Sequence, residues 1–410
     1  MFMTGQPRAA KKLWNSNFVI YLLGSTQSSL GSIISGIALS FVTLEITQSA
    51  GATGLTLALS MVPNLLGPFA GTLVDRISLR IPLIVGDLLR FMLMMVVWYL
   101  ATHGDVQVGL IYAVSFLNGL ISIFYTPATE ALLPSLVPEE DLARANGILG
   151  ATSQVVGIGG YAVAGVLVSQ LGAGPSLLID AISFLVMGLM YMLVEIPQPR
   201  KDVQQNTFLA DFKEGWRTLS THPLMKHMPL LGFVTMAAMA PLNMMLPKIF
   251  QGTGTGAAGF GVFMTVMSVG MLLGSLSITA LGNRFKAVPA VGAGLVIYGL
   301  CYAALSFSPA LWMMWGVAFL FGAGMSFTSS GMVYLLQVET PREQLGRVFG
   351  MVFSVQMSGM PLTLLLISGF ADRLQLTVIF LSCSAVLLLL AVFWMWVSRR
   401  SKAPLAAIAD

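Results

Sequence analysis

Long apolar runs alternate with short polar connections over almost the whole chain. A membrane-crossing helix needs about 20 mostly apolar residues. Twelve such runs are present: Phe18 to Leu39, Thr53 to Leu73, Pro82 to Leu100, Val108 to Tyr125, Gly147 to Leu167, and Pro175 to Val194. After a long polar interval come Leu230 to Phe250, Ala257 to Leu281, Val288 to Phe307, Leu311 to Val333, Val348 to Ile367, and Leu376 to Val397. The runs are apolar on all sides. A β-barrel would show short segments of alternating polarity instead. The pattern predicts an all-α membrane protein of twelve transmembrane helices.

The basic residues orient it. Connections after even-numbered runs, together with both chain ends, hold 18 of the 21 Lys and Arg residues. Connections after odd-numbered runs hold only Lys248 and Arg373, and Arg90 lies within the third run. The positive-inside rule then expects both termini in the cytoplasm, with the chain multi-pass in a bacterial cytoplasmic membrane. One missed helix would scramble this asymmetry, so it also supports the even count. A basic, then apolar, N-terminus resembles a signal peptide, but the run from Phe18 is too long for a signal core and lacks a convincing small-residue cleavage site.

The interval from Glu195 to Pro229 divides the chain near its middle. It opens with the polar "PQPRKDVQQN" and continues as "FLADFKEGWRTLSTHP". There Phe208, Leu209, Phe212, Trp216 and Leu219 recur at helical spacing. This predicts a short amphipathic helix, either on the membrane face or docked on the bundle. The expected division is a six-helix bundle over 1–194, a linker over 195–229 and a second six-helix bundle over 230–410.

The two halves are related. "FYTPATEALLPSLVPEEDLARANG" from Phe124 aligns with "FTSSGMVYLLQVETPREQLGRVFG" from Phe327 at an offset of 203. Leu132, Pro138, Glu140, Arg144 and Gly147 then meet Leu335, Pro341, Glu343, Arg347 and Gly350. At an offset of 208, "GTLVDR" meets "TALGNR", which ends at Arg284. Tandem halves that rock about a central site are one transporter architecture.

Composition narrows the chemistry. The chain of 410 residues is 56% hydrophobic and 9% charged, against about 25% charged in soluble domains. Cys301 and Cys383 lie in apolar runs and suggest neither a disulfide framework nor a metal site. His103, His222 and His227 are too scattered for a metal cluster. The net charge of +4 follows from topology and is no nucleic-acid signal. There is no Gly-x4-Gly-Lys phosphate loop, so an ATP-driven pump is not expected, nor is an enzyme or a bound cofactor.

"GTLVDRISLR", from Gly71 to Arg80, resembles the signature of the major facilitator superfamily between helices two and three, roughly Gly-x-Leu-Ala-Asp-Arg-x-Gly-Arg-Lys. Gly71, Leu73, Asp75, Arg76 and Arg80 match it; Ser78 replaces the second glycine and Leu79 the first of the closing basic pair. The stretch from Phe124, "EGWRTLSTHP", "LGRVFG" and "GFADR" resemble, in the same order, segments of the branch that holds the macrolide-efflux proteins and enterobactin exporters. The resemblance implies a proton-driven exporter of amphipathic compounds without a cofactor. It also implies a cytoplasmic gate. Asp75 would sit on the N-terminus of the eleventh helix, near Leu345 to Arg347, where the helix dipole favours an anion. Arg76 and Arg80 would stay at the headgroups or pair with acids such as Glu130. Asn283 takes the acid's place in the second half, which implies a weaker latch there.

Two features depart from the family's antiporter pattern. Asn118 stands where an arginine of helix four is usual, and "GGYAVAG", Gly159 to Gly165, has Tyr161 for the proline and Ala164 for one glycine. Acids within spans are costly and functional by default. Asp180 and Asp87 are therefore the proton-coupling candidates. Asp87 and Arg90 are three residues apart and can neutralise one another, whereas Asp180 has no obvious local partner. Gln27, Asn118, Gln154, Asn243, Gln356 and Met239 are the expected lining of an apolar substrate cavity, with Met236, Met244 and Met245 nearby as adaptable thioethers. The expected partners are a small-molecule substrate, protons and membrane lipid, with the chain as a monomer. A facilitator or importer of a native metabolite on the same fold stays open.

Overall fold

The computed structural model describes residues 12–67, 77–196, 208–307 and 310–406. Among them there are helices and no strands. The first six spans are α1 (Ser16–Thr47), α2 (Ala50–Met61), α3 (Gly86–His103), α4 (Val108–Leu136), α5 (Leu142–Leu171) and α6 (Ala173–Leu193). After α7 (Phe208–Thr221), the last six are α8 (Met228–Gly252), α9 (Gly256–Leu281), α10 (Ala287–Ser306), α11 (Leu311–Glu339), α12 (Leu345–Ser368) and α13 (Leu376–Ala406). Eleven helices have the length and apolarity to cross a membrane. The twelfth is the shorter Ala50–Leu66, which runs to the edge of a described stretch. Each of the twelve predicted spans is thus helical over its described residues, the second of them described only as far as residue 67. The connection holding Gly71, Asp75 and Arg76 lies outside the described residues, as does "PQPRKDVQQN" and, in the second half, the side chain of Asn283.

Several helices outrun the hydropathy. α4 continues past Tyr125 to Leu136 with Pro127 and Pro134 inside it, and α11 continues to Glu339. Apolarity marks the lipid-embedded part, while the backbone ladder propagates beyond it at little further cost. After Leu136 and after Glu339 the duplicated sequence builds the same turn. Pro138 and Pro341 each accept from a residue three on, Asp141 N–H at 3.0 Å and Gln344 N–H at 2.9 Å. A short 3₁₀ turn then leads into α5 or α12.

In the first six spans α1 packs on α6, α5 and α2, and α3 packs on α6. In the last six α8 packs on α12, α9 on α11, and α10 on α11 and α13. The two sets meet through α5 with α9 and through α2 with α8 and α12. Lipid offers no hydrophobic drive for such contacts, so close backbone approach and polar bonds carry them. A Cβ on Gly322 of α11 would meet the backbone of Met267 and Met271 on α9. Buried aromatics have their polar tips satisfied: Tyr302 donates to the Ala238 carbonyl, and Trp394 Nε1 donates to the Val288 carbonyl at 2.9 Å.

Helix α7 is docked on the bundle. Leu219 is fully buried, Phe212 packs against the core, and Gly215 lies against the Arg347 backbone of α12. Trp216 remains 49% exposed on the outer side of α7. The side of the molecule that carries α7 is here the linker face, and the opposite side the far face.

Candidate functional site

A buried polar cluster lies within the first six spans. A π-helical turn at Ile81–Val85, with Pro82 inside it, delivers Asp87 to the first turn of α3. Such turns are frequent at functional sites. Asp87 has no exposed surface, Arg90 is 8% exposed and Asp180 is 2% exposed. Tyr125 of α4 donates its hydroxyl to Asp87 Oδ2 at 3.2 Å, and the Tyr191 hydroxyl of α6 is 3.3 Å further on. Asp87 Oδ1 has no hydrogen-bond partner among the described residues.

Arg90 faces Asp87 as the i, i+3 spacing predicts, at the long end of an ion pair. Its Nη1 stands 3.9 Å from Asp87 Oδ1. Its Nη2 also donates to Ser122 Oγ at 2.8 Å, and the guanidinium lies 4.3 Å from the centre of the Tyr125 ring. The aromatic faces of Tyr125 and Phe184 hold it in cation–π contact. Arg90 is thus within electrostatic reach of both Asp87 and Asp180.

Asp180 does have local partners. Ser183, one turn on, donates to Oδ1 at 3.3 Å, and Ser35 of α1 adds another bond. Gln27 of α1 donates to the Ser183 carbonyl at 2.9 Å. Gly31 lies between them, and a Cβ there would come within 2.9 Å of Asp180 Oδ1. Two buried acids therefore share one buried cation. Fully ionised, the set carries a net negative charge in a low-dielectric interior, which is expensive. One proton shared between the acids removes it.

The far face joins the two sets of helices. Asp372, in the turn between α12 and α13, reaches the first turn of α2. Its Oδ1 accepts from Ala50 N–H at 3.0 Å and Lys248 Nζ at 2.8 Å. Its Oδ2 accepts from Ser49 Oγ and from Gly51 N–H at 3.1 Å. These amides have no partner within α2, so the carboxylate caps the helix from another part of the chain. Burial alone would raise the Asp372 pKa; the bonds from Lys248, Ser49, Gly51 and Ala50 outweigh it and hold the carboxyl at about 2. Deeper in, Gly165 of α5 crosses Gly261 of α9 backbone to backbone, and Phe41 of α1 meets Phe260 edge-on at 6.2 Å.

The linker face is built differently. Gly147, Gly150 and Gly157 on the first half of α5, and Gly346 and Gly350 on α12, have open space where a Cβ would project. Arg347 turns to α7, donating from Nε to Asp211 at 3.1 Å and from Nη1 to Glu214 at 2.6 Å. Thr218 donates to Gln344 at 2.7 Å, and His222 lies 3.1 Å from Glu339. Lys213, Arg217 and these last residues line a polar cavity of about 770 Å³ between α7 and the α11–α12 turn. Arg80 and Glu130 are both exposed. Of the expected gate, Arg347 is thus engaged by α7, while Gly71, Asp75 and Arg76 lie outside the described residues.

The expected cavity residues are dispersed. Gln27 ties α1 to α6 through the Ser183 carbonyl. Asn118 points its Nδ2 at Met94 Sδ, 3.7 Å away on α3, and its Oδ1 is buried without a partner among the described residues. Asn243 bonds its own helix at the Met239 carbonyl, 2.9 Å away, and Met239 is 8% exposed. Gln356 packs on Gly232, joining α12 to α8, and Gln154 is half-buried on α5. Tyr125, Tyr191, Ser122 and Ser183 were not foreseen in the acid cluster, nor Ser49, Lys248 and Asp372 at the far face. The last of these stands in "GFADR", a segment already conspicuous.

Twelve apolar helices in two sequence-related sets, meeting through their second, fifth, eighth and eleventh members, define a transporter of the major facilitator fold. The model of one of its families, the transmembrane secretion effectors, matches residues 10–407, and the chain belongs to that family. It is 26% identical over 388 residues to macrolide efflux protein A of Streptococcus pyogenes, covering 92% of this chain and 95% of the relative. It is 23% identical to the multidrug efflux pump Tap of Mycolicibacterium fortuitum, covering 95% and 97%. Among solved structures, a bacterial homologue of the iron transporter ferroportin in an inward-facing state superposes with a TM-score of 0.68 at 16% identity, covering 92% and 98%. The nucleoside transporter NupG superposes at 0.73 with 12% identity, covering 93% and 99%. At these identities the structures speak for the fold alone.

Proposed function

We propose that this chain exports hydrophobic or amphipathic small molecules, of the drug, macrolide or siderophore class, by proton antiport and alternating access. The two bundles, 1–194 and 230–410, rock against one another, and the linker face is cytoplasmic, as the basic residues indicate. Efflux is supported by the relatives named above. The observation that carries the proton is the buried set of two acids and one cation, Asp87, Asp180 and Arg90. An uncompensated charge there costs several kcal/mol, about the scale at which one proton can bias a conformational equilibrium. A packed far face with open space along α5 on the linker side supports a cytoplasm-open reading of this arrangement. Asp180 is the preferred carrier, with Asp87 the reserve.

Inside-out vesicles test this. Wild type should concentrate a fluorescent cationic dye and a macrolide when the lumen is acidified, and a protonophore should abolish the gain. Asp180→Asn should lose uphill transport and keep substrate binding and downhill exchange. Uphill transport indifferent to the protonophore would overturn proton coupling. A fully active Asp180→Asn would remove Asp180 as carrier.

A further inference from the structure

The junction at Asp372 has a role beyond capping a helix. We propose that Asp372, steadied by Lys248 of its own bundle, is the latch that holds the far face shut, and that lifting it from α2 is the step that opens that face. The proposal rests on the alternating-access reading above.

Three features support a latch over a static cap. First, the bonds cross between the bundles. Ser49, Ala50 and Gly51 belong to the first, and Asp372 and Lys248 to the second. Any separation of the far face must break the three bonds to the start of α2 at once, while Lys248 stays beside Asp372 in the second bundle.

Second, α2 would keep a cap of its own without Asp372. Ser49 Oγ accepts from Ala52 N–H at 2.9 Å, the usual local N-cap. The additional acceptor from the other bundle is not needed to begin the helix. Gly51 adjusts the fit. A Cβ there would run into the Ser368 carbonyl and approach Asp372 Oδ2 at 3.1 Å, so only glycine lets the α2 turn seat on the end of α12.

Third, the junction is reversible by construction. The side chains of Asp372 and Lys248 are 35% and 45% exposed. On separation Asp372 keeps Lys248 as its partner in the same bundle, and water reaches a carboxylate that is already half-hydrated, so it is not left charged and dry. A fully buried pair would lack this property. Charge-assisted bonds to an ionised acceptor are nonetheless about twice as strong as neutral ones. The chemistry is the one the family resemblance implies for Asp75, an acid from one bundle on a helix N-terminus of the other, here seen at the far face.

Pulsed electron–electron resonance on the full chain tests the latch, with Cys301 and Cys383 replaced by serine. One label pair, at Asp105 and Thr253, spans the far face, and a second, at Glu140 and Glu343, spans the linker face. Asp372→Asn should raise the far-face-open population about 5- to 30-fold and lengthen the first distance while shortening the second. Lys248→Met, which keeps the α2 contacts, should give a smaller shift in the same direction. It serves alone if Asp372→Asn does not fold. Asp372→Glu should restore part of the wild-type distribution. Unchanged distances in Asp372→Asn, or in Lys248→Met where that variant serves alone, would overturn the latch. A lowered melting temperature with unchanged distances would make Asp372 a structural cap only. These failures are separate from failure of alternating access. If wild type itself shows one fixed distance on each face, whatever the substrate and pH gradient, the underlying reading fails instead.

Discussion

The Gly165–Gly261 crossing offers a single-methyl test of how the bundles are held. In Gly261→Ala the new Cβ would lie 2.5 Å from the Tyr161 carbonyl oxygen, 2.8 Å from Gly165 Cα and 3.2 Å from Gly165 N. All three are backbone atoms, so no side chain can turn aside. Ordinary contact between carbons needs about 3.5–4.0 Å, and α5 and α9 must therefore separate by about 1 Å at the crossing. Overpacking of this kind costs about 1–3 kcal/mol. The cost falls on the state in which the far face is closed. If the other state parts these helices, the equilibrium shifts toward it by about 5- to 150-fold. The label pair at Asp105 and Thr253 reads the shift directly. Gly322→Ala is the control: its Cβ would press on the Met267 and Met271 backbone, but both helices belong to the same bundle. It should lower the melting temperature and leave the far-face distance alone. If Gly261→Ala behaves like Gly322→Ala, the crossing is ordinary packing and carries no conformational preference.

Two further outcomes are expected. Arg347→Ala removes both of its ion pairs to α7; half-exposed pairs are worth about 0.2–1 kcal/mol each, so amide exchange across Phe208–Thr221 should speed up about 2- to 30-fold, and unchanged protection would mean that Leu219 and Phe212 alone hold the helix. The far-face junction should not respond to pH between 5 and 8. The Asp372 pKa is lowered to about 2, so its contribution is complete above the ordinary carboxylate value of about 3.9 and is lost only as pH falls through about 2. The distance across the far face, followed over that range in an Asp87→Asn/Asp180→Asn background, checks this; opening on mild acidification would contradict it.

The spans were legible because lipid imposes a single requirement, an unbroken apolar helix about 30 Å long. The duplication was legible for a related reason. Pro138 and Pro341 end one helix and start the next in both halves, and such punctuation survives in sequence. The contents of the acid cluster were only partly legible. Asp87 and Asp180 stand out as charges in apolar runs, but their environment comes from Tyr125 on α4, Ser35 on α1 and Ser183 on α6. Helical periodicity names a face, not what lies across from it. The spacing of Asp87 and Arg90 pointed to their ion pair, but not to the Tyr125 ring and the Ser122 hydroxyl that also hold the guanidinium. The partners of the amides were not legible either. Gln27 and Asn243 find backbone carbonyls, which is how a polar group in an apolar bundle avoids an unpaired burial.

The acid cluster lies wholly in the first bundle, while the far-face junction is shared between both. Helix α1 joins them physically. Ser35 bonds Asp180, Gly31 is pressed against Asp180 and Ser183, and Gln27 holds the Ser183 carbonyl, so three successive inward positions of α1 rest on the part of α6 that carries the acid. Less than two turns beyond Ser35, Phe41 on the same helix meets Phe260 of the second bundle. A helix transmits a small displacement along its length, because its backbone bonds resist bending more than its side-chain contacts resist sliding. On the proton coupling proposed above, a proton gained or lost at Asp180 would change which bonds Ser35 and Ser183 can make, and with them where α1 sits. The consequence would be felt at Phe41, beside the Gly165–Gly261 crossing. Adjacency alone does not establish coupling, which requires that both sites bias one two-state element. On the alternating-access reading the relative position of the bundles at the far face is such an element, and α1 touches both the acid cluster and, through Phe41, the second bundle.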